Sequence, residues 1–290
     1  MQINPSGTTG QDNVRKYFRT VMERHELPAL PFVASKVLDM IQDPDLNVRQ
    51  LCRVLSDDTA LAARILAVSR SAHYAQRNLP TSLLGAVQVL GFRTLRNVVI
   101  TIATQGLFLT NNKISEKLWS HSLAVALASR ILSARVGFRD TEQAFLAGLL
   151  HDVGEMILLH GDPKGFERLG QEVQGTQCLM IDKEQEVYGF DHALIGLTLL
   201  DSWNIDSEIG QAVLHHHSEM NEDSGNGLGA ILATADYFCF KANLGFFAAP
   251  RAPSAEMLAK CDCDTDALLD ETVQEIRTAF EQESALFRIN

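Results

Sequence analysis

Residues 144–159 read AFLAGLLHDVGEMILL, an almost unbroken apolar run with His151, Asp152 and Glu155 in its middle. Taken with its flanks, the run has the length and composition of a buried helix, and its pattern predicts one helix over 141–160. A charged Asp inside such an element is costly unless it is paired or coordinated. This stretch therefore sets two expectations: a helical core, and a centre of chemistry buried within it.

Helical periodicity continues on both sides. Upstream, helices are expected at about 13–26, 32–42, 46–56, 58–71, 82–90 and 92–107. Leu27-Pro-Ala-Leu-Pro31, Asp43-Pro44-Asp45 and Asn78-Leu79-Pro80-Thr81 separate them, with Thr81 or Ser82 as a cap. Downstream, helices are expected over 118–136, 166–173, 191–203, 207–216, 228–242 and 264–286, and SEMNEDSGNG (218–227) reads as loop. No β run or tandem repeat emerges, so the fold class is all-α: a small N-terminal helical bundle followed by a second bundle. The expected divisions are a disordered N-terminus (1–12), an N-terminal helical subdomain (13–110), a second helical subdomain (111–250) and a C-terminal amphipathic helix (251–290).

The chain has 290 residues and a formal net charge of −11, spread unevenly. Residues 1–110 carry 12 Lys and Arg against 8 Asp and Glu, whereas the remainder carries 13 against 28. An acidic field over the second part repels polyanions and argues against nucleic acid as a partner. The arginines Arg64, Arg70, Arg77, Arg93 and Arg96 form no dense basic cluster. No apolar stretch is read as a membrane span, and the first residues lack the charged head and apolar run of a secretory signal, so a cytoplasmic protein is expected. The five cysteines are scattered, and Cys261-Asp-Cys263 has the wrong spacing for a CxxC motif, so they are read as reduced.

Seven of the nine histidines fall between His121 and His217. His151-Asp152 sits in the run that opens this section, and Asp236 interrupts the apolar AILATADYFCF. His121 is placed at the head of one helix, His192 at the start of another after Asp191, and His216-His217 at the end of a third. Neutral imidazoles and carboxylates together suit borderline divalent ions: Fe, Mn, Zn, Co or Ni. Adjacent helical residues diverge by about 100°, so His151 and Asp152 serve one centre only if the metal lies between their directions. The set His121, His151, Asp152, His192, His216, His217 and Asp236 suits a two-ion site, a kind that activates water for phosphoester hydrolysis. His160 and His215 are read as structural, Glu184 and Glu186 as solvated, and Glu155 as either an orienting or an exposed carboxylate.

The order H…HD…H…HH…D on helices resembles the HD superfamily of metal-dependent phosphohydrolases. The opening segments LPALPFVASKVLDMIQD and QLCRVLSDDTALAARILAVSRSAHYAQRNLPTSLLGAVQVLGFRTLRNVV are similar to the start of an HDOD domain, the HD-related output domain of bacterial signalling proteins. LWSHSLAVALASRIL, EQAFLAGLLHDVGEMIL, YGFDHALIGLTLLDSWNI and IGQAVLHHH extend that resemblance in order over about residues 25–240. The resemblance implies a bacterial signal-transduction or regulatory output module acting through protein contacts, with a signalling protein as partner and a nucleotide as a possible ligand. It implies a divalent metal, mononuclear or dinuclear, with Fe or Mn ahead of Zn or Ni. The alternative is a metal-dependent phosphohydrolase acting on a nucleotide or cyclic dinucleotide, with Asp152 as the catalytic residue bridging two ions. In that reading His121, His151 and Asp236 hold one ion and His192, His216 and His217 the other. Relatives that hydrolyse cyclic dinucleotides carry HDxGK and a GYP-bearing loop. Here the motif is HDVGE, with Glu155 at the lysine position, and 218–227 has no GYP. A DNA-binding regulator is the third and least supported reading.

Overall fold

The structure, a computed structural model, describes residues 8–25, 31–71, 74, 79–108, 112–176, 178–218, 227–247 and 249–287. Among them the regular structure is helical, with no strand: α1 (Thr8–His25), α2 (Phe32–Ile41), α3 (Val48–Ser56), α4 (Thr59–Ser69), α5 (Leu83–Phe108), α6 (Lys113–Arg135), α7 (Thr141–Leu150), α8 (Val153–Gly161), α9 (Pro163–Val173), α10 (Met180–Tyr188), α11 (His192–Ser202), α12 (Ser207–His215), α13 (Leu228–Lys241), α14 (Ala255–Lys260) and α15 (Asp266–Glu283), then a 3-10 turn, Ser284–Phe287. The all-α reading therefore holds. The starts are set by the expected chemistry: Asn47, Asp58, Asn112, Asp140, Asp162, Asp191, Asp206 and Ser254 each accept a backbone N–H of the first turn, at about 1 kcal/mol apiece. Ser82 does the same for Gly85.

The chain forms two compact units. The smaller comprises Pro28–Leu109 and Ala279–Asn290; the larger comprises Met1–Leu27 and Thr110–Thr278. In the smaller unit, Leu51, Leu55, Ile65, Leu95 and Ile100 are fully buried among α2–α5. Arg64 is hydrogen-bonded to Gln105 and Arg70 donates to the Pro80 carbonyl, so both side chains are engaged within their own unit. In the larger unit α6 forms the central element, buried from Leu123 through Arg130. α7 lies flush against it: a Cβ on Gly148 would sit 2.6 Å from the Val125 carbonyl oxygen. On the other side of the His-Asp pair, a Cβ on Gly154 would sit 1.9 Å from the His192 carbonyl oxygen. Glycine at these two positions lets α7 approach α6, and α8 approach the start of α11.

Several expectations need correction. Residues 13–110 are not one group, because α1 belongs with the larger unit and packs on α8 and α11. Disorder over 1–12 does not extend to Thr8, where α1 begins; residues 1–7 lie outside the described set. The expected break at 27–31, the turn at Asn78 and the loop 218–227 fall largely outside it as well. The predicted helix over 141–160 is two helices, α7 and α8, broken at His151-Asp152. His121 lies within α6, not at its head, and α10 and α14 were not anticipated. The C-terminal stretch 251–290 contains α14, α15 and the 3-10 turn, not one helix. Finally, Leu83–Gly106 is long and apolar enough to pass as a membrane span by composition. It is broken at Gly91 (φ 72, ψ 170), and half of its apolar window is buried, as befits a core helix of the smaller unit.

Candidate metal centre

The break between α7 and α8 resolves the geometric difficulty of adjacent ligands. Asp152 has left the helical conformation (φ −102, ψ 17), and its carboxylate does not cap α8. It turns instead toward the imidazoles. Its Oδ2 lies 2.9 Å from His151 Nε2 and 3.3 Å from His121 Nε2; its Oδ1 lies 3.4 Å from His192 Nε2 and 3.5 Å from His216 Nε2. Asp236, from α13, reaches the same His121 Nε2 at 3.3 Å. His217 Nε2 is 3.0 Å from His192 Nε2. All seven sequence-predicted residues thus converge. They fall into two groups with mutually close ligand atoms, Asp152 with His192, His216 and His217, and His121 with His151 and Asp236.

The second ring nitrogens fix the tautomers. Nδ1 of His151 faces the Gly148 carbonyl at 2.8 Å, that of His216 the Val213 carbonyl at 2.6 Å, and that of His121 the Leu244 carbonyl at 3.0 Å. Nδ1 of His192 lies 2.7 Å from Glu184 Oε2. Each partner is an oxygen acceptor, so each Nδ1 carries the proton and donates it, and a neutral ring then presents its Nε2 lone pair to Asp152. Four such lone pairs around one carboxylate would repel it, so positive charge, a proton on Nε2 or a metal cation, has to stand between them. Nε2 of His151 and of His216 are buried and make no aligned hydrogen bond. Donor type, tautomer and these two orphaned nitrogens fit divalent metal.

The local electrostatics run in the same direction. Burial by itself would lower the His121 pKa, but Asp152 and Asp236 more than offset it and hold the group well above the ordinary histidine value. His192 is likewise raised, with Glu184 and Asp152 outweighing burial. His217, by contrast, is pushed well down by burial and by its imidazole neighbours His216 and His192. Burial would raise Asp152, yet the facing imidazoles His151, His121 and His216 keep it well below the usual carboxylate range.

Two carboxylates complete the surroundings. Glu184, expected to be solvated, is fully buried on α10, and its Oε2 accepts both the backbone N–H of His192 (2.8 Å) and its Nδ1–H. Glu155 is 4% exposed, with Oε1 4.0 Å from His192 Nδ1. Burial, then Asp152, raise its pKa well above the usual carboxylate value. His160 and His215 stay outside the cluster: His160 is bonded to the Met156 carbonyl and His215 is exposed. Glu186 is exposed and paired with Lys183.

A chamber of about 40 Å³ faces the cluster, with His121, Asp152, His192, His217 and Asp236 among its walls. Leu179 and Met180 and a strap of chain carrying Phe246, Phe247, Ala249 and Pro250 line the rest of it. The strap is anchored: Leu244 accepts from His121, and Phe247 packs on Phe166 at 5.7 Å and over Gly170.

Comparison with known proteins agrees with this construction. The sequence profile of the HDOD domain family matches residues 27–219, two thirds of the chain. An HDOD domain protein of unknown function from Geobacter sulfurreducens is 27% identical, with a TM-score of 0.77 over 98% of this chain and all of that one. A candidate phosphohydrolase from Shewanella amazonensis SB2B shares the fold at 23% identity and a TM-score of 0.71, covering 94% of this chain and 98% of its own. An uncharacterized protein of Treponema pallidum is 22% identical over 221 residues, 74% of this chain but only 42% of that protein, so this chain spans less than half its length. Asp236 and the strap lie beyond the family match.

Proposed function

This chain belongs to the HDOD domain family, and on that footing we propose that it is a regulatory output module of bacterial signal transduction. Its buried His-Asp centre holds divalent transition metal, Fe or Mn ahead of Zn or Ni, and its state is communicated through contacts with a signalling partner in the cytoplasm. One ion would be held by His121, His151 and Asp236 and a second by His192, His216 and His217, with one Asp152 oxygen toward each. Metal at such a site polarises a phosphoryl oxygen and lowers the pKa of water. The chain's own residues orient the ligands through Glu184 and the Gly148, Val213 and Leu244 carbonyls, and they limit access.

Access is the observation that carries the regulatory reading. A chamber of about 40 Å³ accommodates roughly two or three waters, whereas small-molecule sites run to about 300–1,000 Å³. The chamber itself does not hold a nucleotide, and the larger cavity of about 540 Å³ beside it meets the ligand cluster at His121 alone. Hydrolysis is the second reading, favoured by the two Asp152 oxygens facing two separate groups of imidazoles. The deciding experiment assays metal-loaded protein against phosphomonoester and phosphodiester substrates. The regulatory reading expects no turnover; turnover that Asp152→Ala abolishes in a folded protein would replace it with the hydrolase.

A further inference from the structure

Glu155, from the first turn of α8, and Glu184, from α10, meet at His192, the first residue of α11. One ligand atom from each of the three lies within 4.8 Å of the other two. Both carboxylates are deeply buried: the Glu155 side chain is 5% exposed and that of Glu184 not at all. Glu184 commits Oε2 to the two N–H groups of His192, and its Oε1 has no hydrogen-bond partner among the described residues. Glu155 is less satisfied still. Its Oε2 has no such partner either, and its Oε1 stops 4.0 Å from His192 Nδ1, beyond hydrogen-bond reach. One imidazole thus faces three carboxylates, Asp152 on its Nε2 side and Glu155 and Glu184 on its Nδ1 side. Buried anionic oxygens without partners are costly unless a cation or a donor reaches them. Since Nδ1–H already points at Glu184, this corner offers an ion oxygen and not nitrogen. Glu155 also lines the chamber of about 40 Å³, which has room for water.

We propose that Glu155 and the Oε1 of Glu184 hold a third divalent cation, Mg²⁺ or Mn²⁺, on the opposite side of the His192 ring from the ion at Nε2. Mg²⁺ binds through one or two carboxylates and keeps several of its waters, and Mn²⁺ shares its preference for oxygen. Two carboxylates beside a small wet chamber supply that combination. Metals that favour imidazole go to the pair of positions already described. With only two protein ligands the third ion is held more weakly than that pair, exchanges with the solution, and leaves when excess metal is removed. While bound, it offsets the charge that the two carboxylates place behind His192. The site rests on neither reading of the two-ion centre, because its ligands are separate from those of the pair.

The test is equilibrium dialysis of the chelator-stripped full chain against Mn²⁺, raised from micromolar to millimolar, with bound and free ion distinguished by electron paramagnetic resonance. Two tight equivalents and a third, weaker one are expected, and added Mg²⁺ should displace the third ahead of the pair. Glu155→Gln keeps the shape of the side chain and removes its charge. It should weaken the third equivalent about 10-fold or more and leave the two tight ones in place. Glu155→Met, apolar and of similar length, should abolish the third equivalent, and a melting curve checks that each variant is folded. The proposal is overturned if wild-type binding stops at two equivalents in millimolar Mn²⁺, or if both variants bind the third as well as wild type. Loss of the tight pair in folded Glu155→Gln protein would also overturn it, by making Glu155 a ligand of that pair. Weak, Glu155-dependent binding in a protein with no tight equivalents would sustain this site while removing the two-ion centre.

Discussion

Replacing Glu184 probes how the centre is held, because this carboxylate touches neither ion of the pair except through His192. One oxygen, Oε2, accepts two N–H groups from the same residue at 2.7 and 2.8 Å, fixing both the start of α11 and the rotation of the imidazole. Glu184→Leu removes the shared acceptor and leaves two buried donors unpaired, each costing about 1–3 kcal/mol. The loss of stability is therefore about 2–6 kcal/mol. Glu184→Gln offers a carbonyl oxygen where Oε2 stood and can still accept both bonds, so it loses the charge but retains the geometry. Removing an outer partner of a ligand histidine typically costs 10–100-fold in metal affinity, or about 1.4–2.8 kcal/mol. Competition with a chromogenic chelator should place Glu184→Gln at the low end of that range and Glu184→Leu at or beyond its top. The deficit should be confined to the ion shared by His192, His216 and His217. A folded Glu184→Leu protein that binds both metal equivalents with wild-type affinity would refute the assignment.

Other expectations follow from the same geometry. In metal-free protein the raised values of His121 and His192 contribute stability that is fully present below about pH 6.5 and lost as pH rises through their folded-state values. Thermal melting from pH 6.5 to 9 should therefore show a falling Tm, and Mn²⁺ should flatten the trend by replacing the protons; a Tm independent of pH without metal would contradict it. Gly154→Ala inserts a methyl group 1.9 Å from the His192 carbonyl oxygen. It should cost about 1–3 kcal/mol and lower metal affinity as well, measured by denaturant unfolding and chelator competition; wild-type values for both would show that the close approach is not required. Phe247→Ala, which removes the ring packed over Gly170 and against Phe166, should speed metal exchange with a chelator, and unchanged exchange would mean that the strap does not control access.

The seven converging residues were legible because each is polar in an apolar helical setting, a combination that needs a partner whatever the fold. Their detailed positions were less so. Periodicity carried the helix straight through His151-Asp152, since neither residue is a helix breaker; the break follows from the demand that Asp152 face imidazoles from several elements at once. Glu184 was misread because DKEQEVY looks like a solvated charged stretch, and Glu186 in it is indeed exposed. One face of α10 is buried and the other is not, which short polar helices conceal. The backbone acceptors, Gly148, Val213 and Leu244, leave no mark in a sequence because every residue has a carbonyl. That Phe246 and Phe247 line the chamber was likewise invisible: FF in a loop does not say what it faces. In the smaller unit, by contrast, Gly91 separates the two helical stretches where they were expected to part.

The most direct measurement is the metal content of purified protein reconstituted with Mn²⁺ or Fe²⁺ and freed of excess, compared between wild type and Asp152→Ala and accompanied by a melting curve for each. The account predicts close to two equivalents in the wild type and a marked loss in the variant, since Asp152 faces both sets of imidazoles. A wild-type protein that retains no metal, or a folded Asp152→Ala protein that retains both ions, would contradict it.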